Sequence, residues 1–294
     1  MIHLRGVCSV TLIALCLLTS SPRVLVSAQV SSMADVLARA AQYVTAFTDP
    51  SRLIVCEESY RHTFLRLMVN SVGQLERLPQ GGHEWVAELA IAATPHEEKT
   101  GFPWIEFRDI VTLDRRPARD GVSRLGMLAT QPWNDAGPEA MKITRETAGT
   151  QFGRLDRAVL LPRLACLFLH AANQPRFTFK KGGERKIEGI NTWEVKYQEK
   201  ATPTIIFSTA GKDAPSTGSF WIDPATGQVL MSVLKNGDSS ALYDEMTVKY
   251  ALDQAIGLWL PTSLVDKTID IEDEREVEGK GTFKKWRIVP RTAK

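Results

Sequence analysis

The sequence predicts an α+β protein built on a long, curved antiparallel β-sheet, a half-barrel-like meander with helices packed on one face. Three observations predict it. Gly218 to Lys235, GSFWIDPATGQVLMSVLK, has the pattern of a β-hairpin. From Arg176 onward, apolar residues recur with a period of two. Before Pro175, several stretches carry them at helical spacing instead. One domain over 29–294 is therefore expected, with a helix-containing half at 29–175 and an antiparallel meander at 176–290.

The hairpin rests on local chemistry. Phe220, Trp221 and Ile222 are strong strand formers. Asp223-Pro224 stops the strand, because Pro brings no N–H to the ladder and its fixed φ suits the second position of a turn. Gly227 supplies a positive φ where the turn needs one. Val229, Met231 and Val233 then fall on one face and Leu230 and Leu234 on the other, which predicts a hairpin covered on both sides.

The chain has 294 residues, 44% hydrophobic and 24% charged, ordinary globular proportions with ample material for a core. Residues 1–28 differ in kind. Arg5 precedes an apolar run, Gly6 to Leu18, too short to span a bilayer. Val26-Ser27-Ala28 then offers a small-residue cleavage site before Gln29, so a secretory signal peptide and an exported, periplasmic or extracellular protein are expected. Cys16 does not fit lipid attachment, since a bulky Leu15 precedes it and the apolar run continues beyond it. Loss of Arg5 and Arg23 takes the net charge from +2 to zero, which gives no electrostatic case for nucleic acid. No later run is apolar and long enough for a transmembrane segment in the mature chain. Cys56 and Cys166 remain, too few for a disulfide framework; a pair and two buried thiols are both open.

In order along the chain, Ser32 to Thr48 reads as a helix capped by Ser31 or Ser32, with Asp35 in its first turn and Asp49-Pro50 at its end. Leu53 to Phe64 reads as a strand, Leu65 to Leu78 as strand or helix, Pro79 to Gly82 as a turn, and Glu84 to Ala92 as strand or short helix. Trp104 to Leu113 alternates well, with Trp104, Glu106, Arg108 and Ile110 on one face, before a turn at Asp114 to Arg116. Helices follow at Pro138 to Gln151 and Arg157 to His170, the second starting nearer Leu161 if Pro162 opens it. In the meander, Phe177 and Phe179 precede a turn at Lys181 to Gly183, and Trp193, Val195 and Tyr197 form the next strand. A polar loop spans Ala210 to Thr217. After the hairpin come a strand with Met246, Val248, Tyr250 and Leu252 on one face, another from Gly257 to Ile271, a charged turn at Glu272 to Glu276, and a last strand from Gly281 to Val289. About eight strands joined by short turns make a meander.

Motifs that carry catalysis are missing from the sequence: it has no HExxH, CxxC, GxSxG or Walker loop. Neither a cofactor nor a metal is expected, because His62, His83, His96 and His170 have no second histidine at ligand spacing, and His96-Glu97-Glu98 reads as solvated loop. Ser232-Val-Leu-Lys235 and Lys99-Thr-Gly101 imitate penicillin-recognising enzymes, but Ser232 lies in a strand, where a residue three positions on faces the other way. Glu57 and Glu58, adjacent on a strand, point to opposite faces and cannot pair as an acid and base. The clusters Lys180, Lys181, Arg185, Lys186 and Lys280, Lys284, Lys285, Arg287 read as lysine-guarded edges, or as a weak contact with anionic envelope polymers or head groups.

FWIDPATGQVLMSVL, EMTVKYALDQAIGLWLPTSLVDKTI and VEGKGTFKKWRIV resemble the sheet of periplasmic lipoprotein-carrier proteins, the group of LolA, LolB and the related domain of RseB. The resemblance covers about residues 176 to 290 and rests on the aromatic-DP-x-TG hairpin and strand order. The chain as a whole, including ADVLARAAQYVTAF before CEESY, also resembles secreted bacterial proteins. The carrier resemblance implies a curved sheet around an apolar cavity for acyl chains, with a lipid or an acylated protein as partner and no catalytic residues. The large helix-containing first half departs from that group. An exported, non-enzymatic binding protein for an apolar or lipidated ligand is the leading expectation, with Phe177, Phe179, Met246, Val248, Tyr250 and Leu252 as ligand-binding candidates. The plainer reading is that these residues are core. An envelope scaffold that recognises another protein through an exposed face is the alternative function, and a hydrolase without a recognisable motif comes third. Exported material should begin at Gln29, which intact-mass measurement checks; a chain keeping Met1, or one acylated at Cys16, would refute the leader assignment.

Overall fold

The computed structural model describes residues 31–95, 102–118, 124–151, 161–207, 212–237 and 242–292, without the side chains of 147–151 and 242. The expected leader and its cleavage site, the loop with His96 to Glu98, the Lys99 to Gly101 fragment and the first residues of the helix expected from Arg157 lie outside the described residues.

Eleven strands form one open antiparallel sheet. They are β1 (Arg52–Val69), β2 (Leu75–Ala93), β3 (Trp104–Leu113), β4 (Arg116–Pro117), β5 (Phe177–Ile187), β6 (Ile190–Glu199), β7 (Thr217–Ile222), β8 (Val229–Gly237), β9 (Leu242–Asp253), β10 (Leu258–Asp270) and β11 (Arg275–Pro290). Their order is β4-β3-β2-β1-β11-β10-β9-β8-β7-β6-β5. Strands β5 to β11 are the expected meander, and β11 then pairs with β1 over Arg52↔Pro290 to Arg66↔Arg275, which joins the two halves of the chain.

Helix α1 (Met33–Val44) starts where expected. Ser32 Oγ accepts from the Asp35 N–H and the Asp35 carboxylate accepts from the Ser32 N–H, a capping box. Val36, Ala40 and Val44 are buried on one stripe, and a 3-10 turn, Thr45–Phe47, adds Phe47 to it. The β7–β8 hairpin docks on this helix. Asp223 ties its turn, accepting from the N–H groups of Ala225 and Gly227, while Arg39 Nε donates to the Pro224 carbonyl at 2.9 Å. Gly227 has φ 78°, and a Cβ there would collide with the backbone of Arg39 and Ala40, so glycine is required twice over.

The hairpin is not covered on both sides. Phe220, Ile222, Leu230, Ser232 and Leu234 face the core while Trp221, Met231 and Val233 are half-buried on the outer face; at the bulge between Trp221 and Ile222, Val229, expected on the face of Met231 and Val233, is buried in the core as well. The Arg185 guanidinium lies 4.2 Å from the centre of the Trp221 ring, so a cation from the next hairpin covers that face in place of a helix.

The segment expected as a helix to His170 is a buried 3-10 run, Leu164–Leu169. Ala165, Cys166, Leu167, Phe168 and Leu169 are all buried, wedged between α1 and β8. The helical spacing of Leu164, Leu167 and Phe168 is met equally by a 3-10 run covered all round, and Pro162 offers no N–H to an earlier turn. Helices α2 (Met127–Thr130) and α3 (Trp133–Gln151) pack on the opposite face of β1–β3. Helix α3 starts one turn before the expected Pro138, which it contains. Alternate β1 residues show the two faces: Ile54 and Cys56 join the cluster with α1, Leu53 and Val55 the cluster with α2 and α3. Helices therefore cover both faces of the first strands. Thr144 on α3 also occupies the outer edge of β3, with its hydroxyl bonded to both the N–H and the carbonyl of Arg108.

Two expected turns lie inside strands. Pro79 to Gly82 belongs to β2, where the register with β1 breaks between Thr63 and Leu65; the chain reverses at Asn70–Gln74 instead, where the Asn70 side chain accepts from the N–H groups of Val72 and Gln74. Lys181 to Gly183 forms a bulge in β5, and the reversal comes at Glu188-Gly189, both at positive φ. Proline and paired glycine mark departures from regular pairing, and a bulge satisfies that as well as a turn does. Cys56 and Cys166 are both buried free thiols.

Ile222 is fully buried and Trp221 is not. Ile222→Ala should cost about 2–5 kcal/mol and Trp221→Ala clearly less. Urea denaturation of both variants decides this, and equal losses would mean that the outer face is covered.

Candidate functional site

The concave face of the sheet, against α1 and the Leu164–Leu169 run, carries five of the six ligand-binding candidates. Met246, Val248 and Tyr250 on β9 are buried in the same cluster as Phe177 on β5, with three strands of the sheet between them, and Phe179 is half-buried against it. Leu252 is not brought in; at the end of β9 it is 39% exposed. Phe168 stacks on Phe177 with ring centres 4.5 Å apart, and Tyr197 stacks on Phe220 at 4.8 Å. The Tyr250 hydroxyl donates to the Pro162 carbonyl at 2.8 Å and lies 3.0 Å from Ser232 Oγ, which ties β9 to β8 and to the segment leading into the 3-10 run.

Beside this apolar cluster lies a polar centre that the sequence reading missed. Glu58 on β1 and Arg108 on β3 form a fully buried bidentate pair, at 2.5 Å from Nε and 2.8 Å from Nη2. Glu106 is also buried and accepts from the backbone N–H of Arg163 at 3.1 Å. Burial pushes its carboxyl up to about 7, with the guanidinium groups of Arg163 and Arg108 pulling the other way. The only signal in the sequence is that Glu106 and Arg108 share a β3 face with Trp104 and Ile110, an apolar pattern interrupted by complementary charges.

Arg163 is the outlier. Its side chain is wholly buried, with Cζ 3.2 Å from the centre of the Phe47 ring and 5.5 Å from that of Trp104. Nη1 reaches the Trp259 carbonyl only at 3.5 Å, and Nε and Nη2 have no hydrogen-bond partner among the described residues. Ring faces return about 2 kcal/mol at best to a buried cation, whereas burying an uncompensated ion costs several. Arg163 thus differs from Arg108, whose charge a carboxylate answers directly.

A second feature stands at the far end of β1 and β2. These strands outlast their neighbours: pairing with β11 stops at Arg66↔Arg275 and pairing with β3 at Trp85↔Leu113, while the two continue together to Val69↔Leu75. The free ribbon carries Val69, 68% exposed, and Leu75 on one face and Val72, 74% exposed, at the turn; on the other face Met68 lies opposite Glu76 and Leu78 opposite Arg66. No charged residue occurs from Val69 to Leu75. Charges begin immediately below, with Arg66 3.8 Å from Glu274 and Arg77 3.0 Å from Glu276. Between these ends, a groove of about 570 Å³ is lined by Arg61, His83, Asp114 and Arg115, with His83 Nδ1 2.8 Å from Asp114. Among the described residues, no three His, Cys, Asp or Glu side chains converge as a metal ligand set, and no helix is long and apolar enough to cross a membrane.

No protein-family model matches the chain, and no curated protein matches it in sequence. Among solved structures it is similar to LolA-type proteins. A DUF1329 family protein from Desulfovibrio piger is 10% identical with a TM-score of 0.40, covering 88% of this chain and 93% of its own. A LolA superfamily protein from Nitrosomonas europaea is 9% identical with a TM-score of 0.36, covering 88% and 93%. A putative outer membrane lipoprotein-sorting protein domain from Vibrio parahaemolyticus is 11% identical with a TM-score of 0.33, covering 86% and 91%. The resemblance read from the hairpin and the strands after it is to this same group.

Glu106 sets a pH dependence. Its folded pKa of about 7 lies above the ordinary 4.5, so the folded chain holds this proton more tightly than the unfolded chain does. The contribution is fully present below the ordinary value and is lost as pH rises through the folded one, by roughly 3 kcal/mol in all. Glu106→Gln keeps an acceptor for the Arg163 N–H but cannot ionise. Guanidinium denaturation across this window should show a flatter stability profile for the variant; parallel profiles would remove Glu106 as the cause.

Proposed function

We propose that this is an exported, non-enzymatic binding protein for an apolar or lipidated ligand of the cell envelope, and that it meets lipid through the free end of the β1–β2 hairpin. The observation that carries this reading is the ribbon end, uncharged from Val69 to Leu75, with Val69, Val72 and Leu75 exposed. A flat partner surface covers one face of a ribbon. The acyl region of a bilayer accepts an uncharged apolar tip without a matching partner surface. The end projects about three strand residues past Arg66, roughly 10 Å at the rise of an extended strand, with Glu76 part-way along it. That length reaches the boundary between head groups and acyl chains and does not span the bilayer. Exposed apolar surface of this kind is uncommon on a soluble monomer without a binding role. The apolar concave face and the carrier-like sheet support the ligand half of the reading. A protein partner with a deep cleft is the competing occupant.

Flotation with phosphatidylcholine vesicles separates the two. The wild type should float, and Val72→Asp or Leu75→Asp should abolish flotation while the melting temperature stays unchanged, because both residues are exposed. Since the end is uncharged and its collar carries both signs, adding phosphatidylglycerol or salt should change little. Failure of the wild type to float would leave the cleft-bearing partner.

A further inference from the structure

We infer that Arg163 anchors the carboxylate of a long-chain acidic amphiphile, in chemical class a free fatty acid, with Phe47 and Trp104 holding the guanidinium in place for it. The inference deepens the proposed function and rests on its apolar-ligand half. Two arginines are fully buried on the concave side, and the structure treats them differently. Arg108 faces Glu58 through two hydrogen bonds. Arg163 forms no ion pair among the described residues and has Nε and Nη2 without acceptors. The nearest carboxylate, Glu106, is engaged by the backbone N–H of Arg163 and not by its guanidinium. The other polar neighbours offer no negative charge: the Tyr43 hydroxyl donates to the Trp259 carbonyl, and the Cys166 thiol lies 3.6 Å from the Tyr250 hydroxyl, with its own ionisation suppressed by burial.

A trapped water would satisfy two N–H groups but would leave the charge. A carboxylate does both, and the two open N–H positions of a planar guanidinium suit its two oxygens. The position of Arg163 fits an amphiphile better than a small anion. Phe47 and Trp104, whose rings the guanidinium faces, belong to the apolar cluster that also includes Val248 and Phe177, so the guanidinium borders it. A head group at Arg163 leaves an alkyl tail beside that cluster. The ester- and amide-linked acyl chains of a lipoprotein carry no such head, so the guanidinium favours the free acid over them.

The test compares a fluorescent long-chain fatty acid with its methyl ester, in mildly acidic buffer that leaves Glu106 protonated, on wild type, Arg163→Met and Arg163→Lys. The wild type should bind the acid roughly tenfold more tightly than the ester, the effect of one charge-assisted contact. Arg163→Met should lose that preference and keep the affinity for the ester, and Arg163→Lys should retain part of it. The comparison on the wild type alone decides the matter if a variant does not fold. Equal binding of acid and ester by the wild type overturns the inference, points to a water at Arg163, and leaves the apolar-ligand reading standing. Saturable binding of neither overturns both, while vesicle flotation remains an independent measure of the hairpin end.

Discussion

The pairing of β1 with β11 is the constraint on which the rest of the structure depends. These strands come from opposite ends of the described chain, and without their ladder the sheet would fall into two pieces with four open edges. Loop-closure entropy grows only slowly with length, so so distant a pairing is thermodynamically accessible once side chains specify its register. Tyr60 specifies it. From β1 its ring passes over Gly281 and Gly279 on β11, and its hydroxyl donates to Asp266 on β10 at 2.7 Å. A Cβ at Gly279 would coincide with that hydroxyl, so glycine there is a condition for a side chain that clips three strands together.

Placing β1 at the centre has a cost in charge. Helices cover both faces of β1–β3 toward the Leu53 end, and Glu58, Glu106, Arg108 and Asp109 there have no solvent-facing position to take. The charged residues that occur there are buried against specific partners: Glu58 with Arg108 on the concave side, Asp109 with Arg124 at 2.7 Å on the other. Such pairs add little net stability compared with apolar residues of the same volume, but losing one partner leaves an ion in a medium that cannot solvate it. The buried pairs therefore resist single changes and fix how the sheet and its helices fit together. Arg163 stands outside this rule.

The two ends of the first hairpin experience opposite environments. Near Leu53 it is the most enclosed part of the sheet, and near Val72 it is the most exposed. The difference comes from strand length: β1 and β2 outrun both neighbours, and a two-stranded ribbon has no third layer to cover its apolar side chains. The enclosed concave face and the free apolar end are thus separate consequences of one pair of long strands, and the proposed roles fall on these two regions.

Much of this was legible in the sequence. Period two after Arg176 gave the meander, Ser32 and Asp35 gave the start of α1, and Asp114-Arg115 gave a tight turn, each because the determinant is local to a few residues. Met246, Val248, Tyr250 and Leu252 were placed on one face of one strand, and Phe177 and Phe179 on one face of another, for the same reason, since alternation in a strand is fixed by the backbone, although Leu252 at the strand end is exposed. What failed was whatever depends on neighbours remote in sequence. Pro79 to Gly82 and Lys181 to Gly183 read as turns because proline and glycine break regular pairing, but whether a break becomes a reversal or a bulge is decided by the facing strand. The stretch ending at His170 read as a helix because Leu164, Leu167 and Phe168 recur at helical spacing, which a 3-10 run buried on every side also satisfies. The sequence by itself determined which residues alternate and where the chain is stiff or free. Only the tertiary structure decided that β1 meets β11, that Glu58 meets Arg108, and that Arg163 is buried without a direct ion pair among the described residues, because each depends on which groups lie within a few ångströms, and sequence spacing does not encode distance across a sheet.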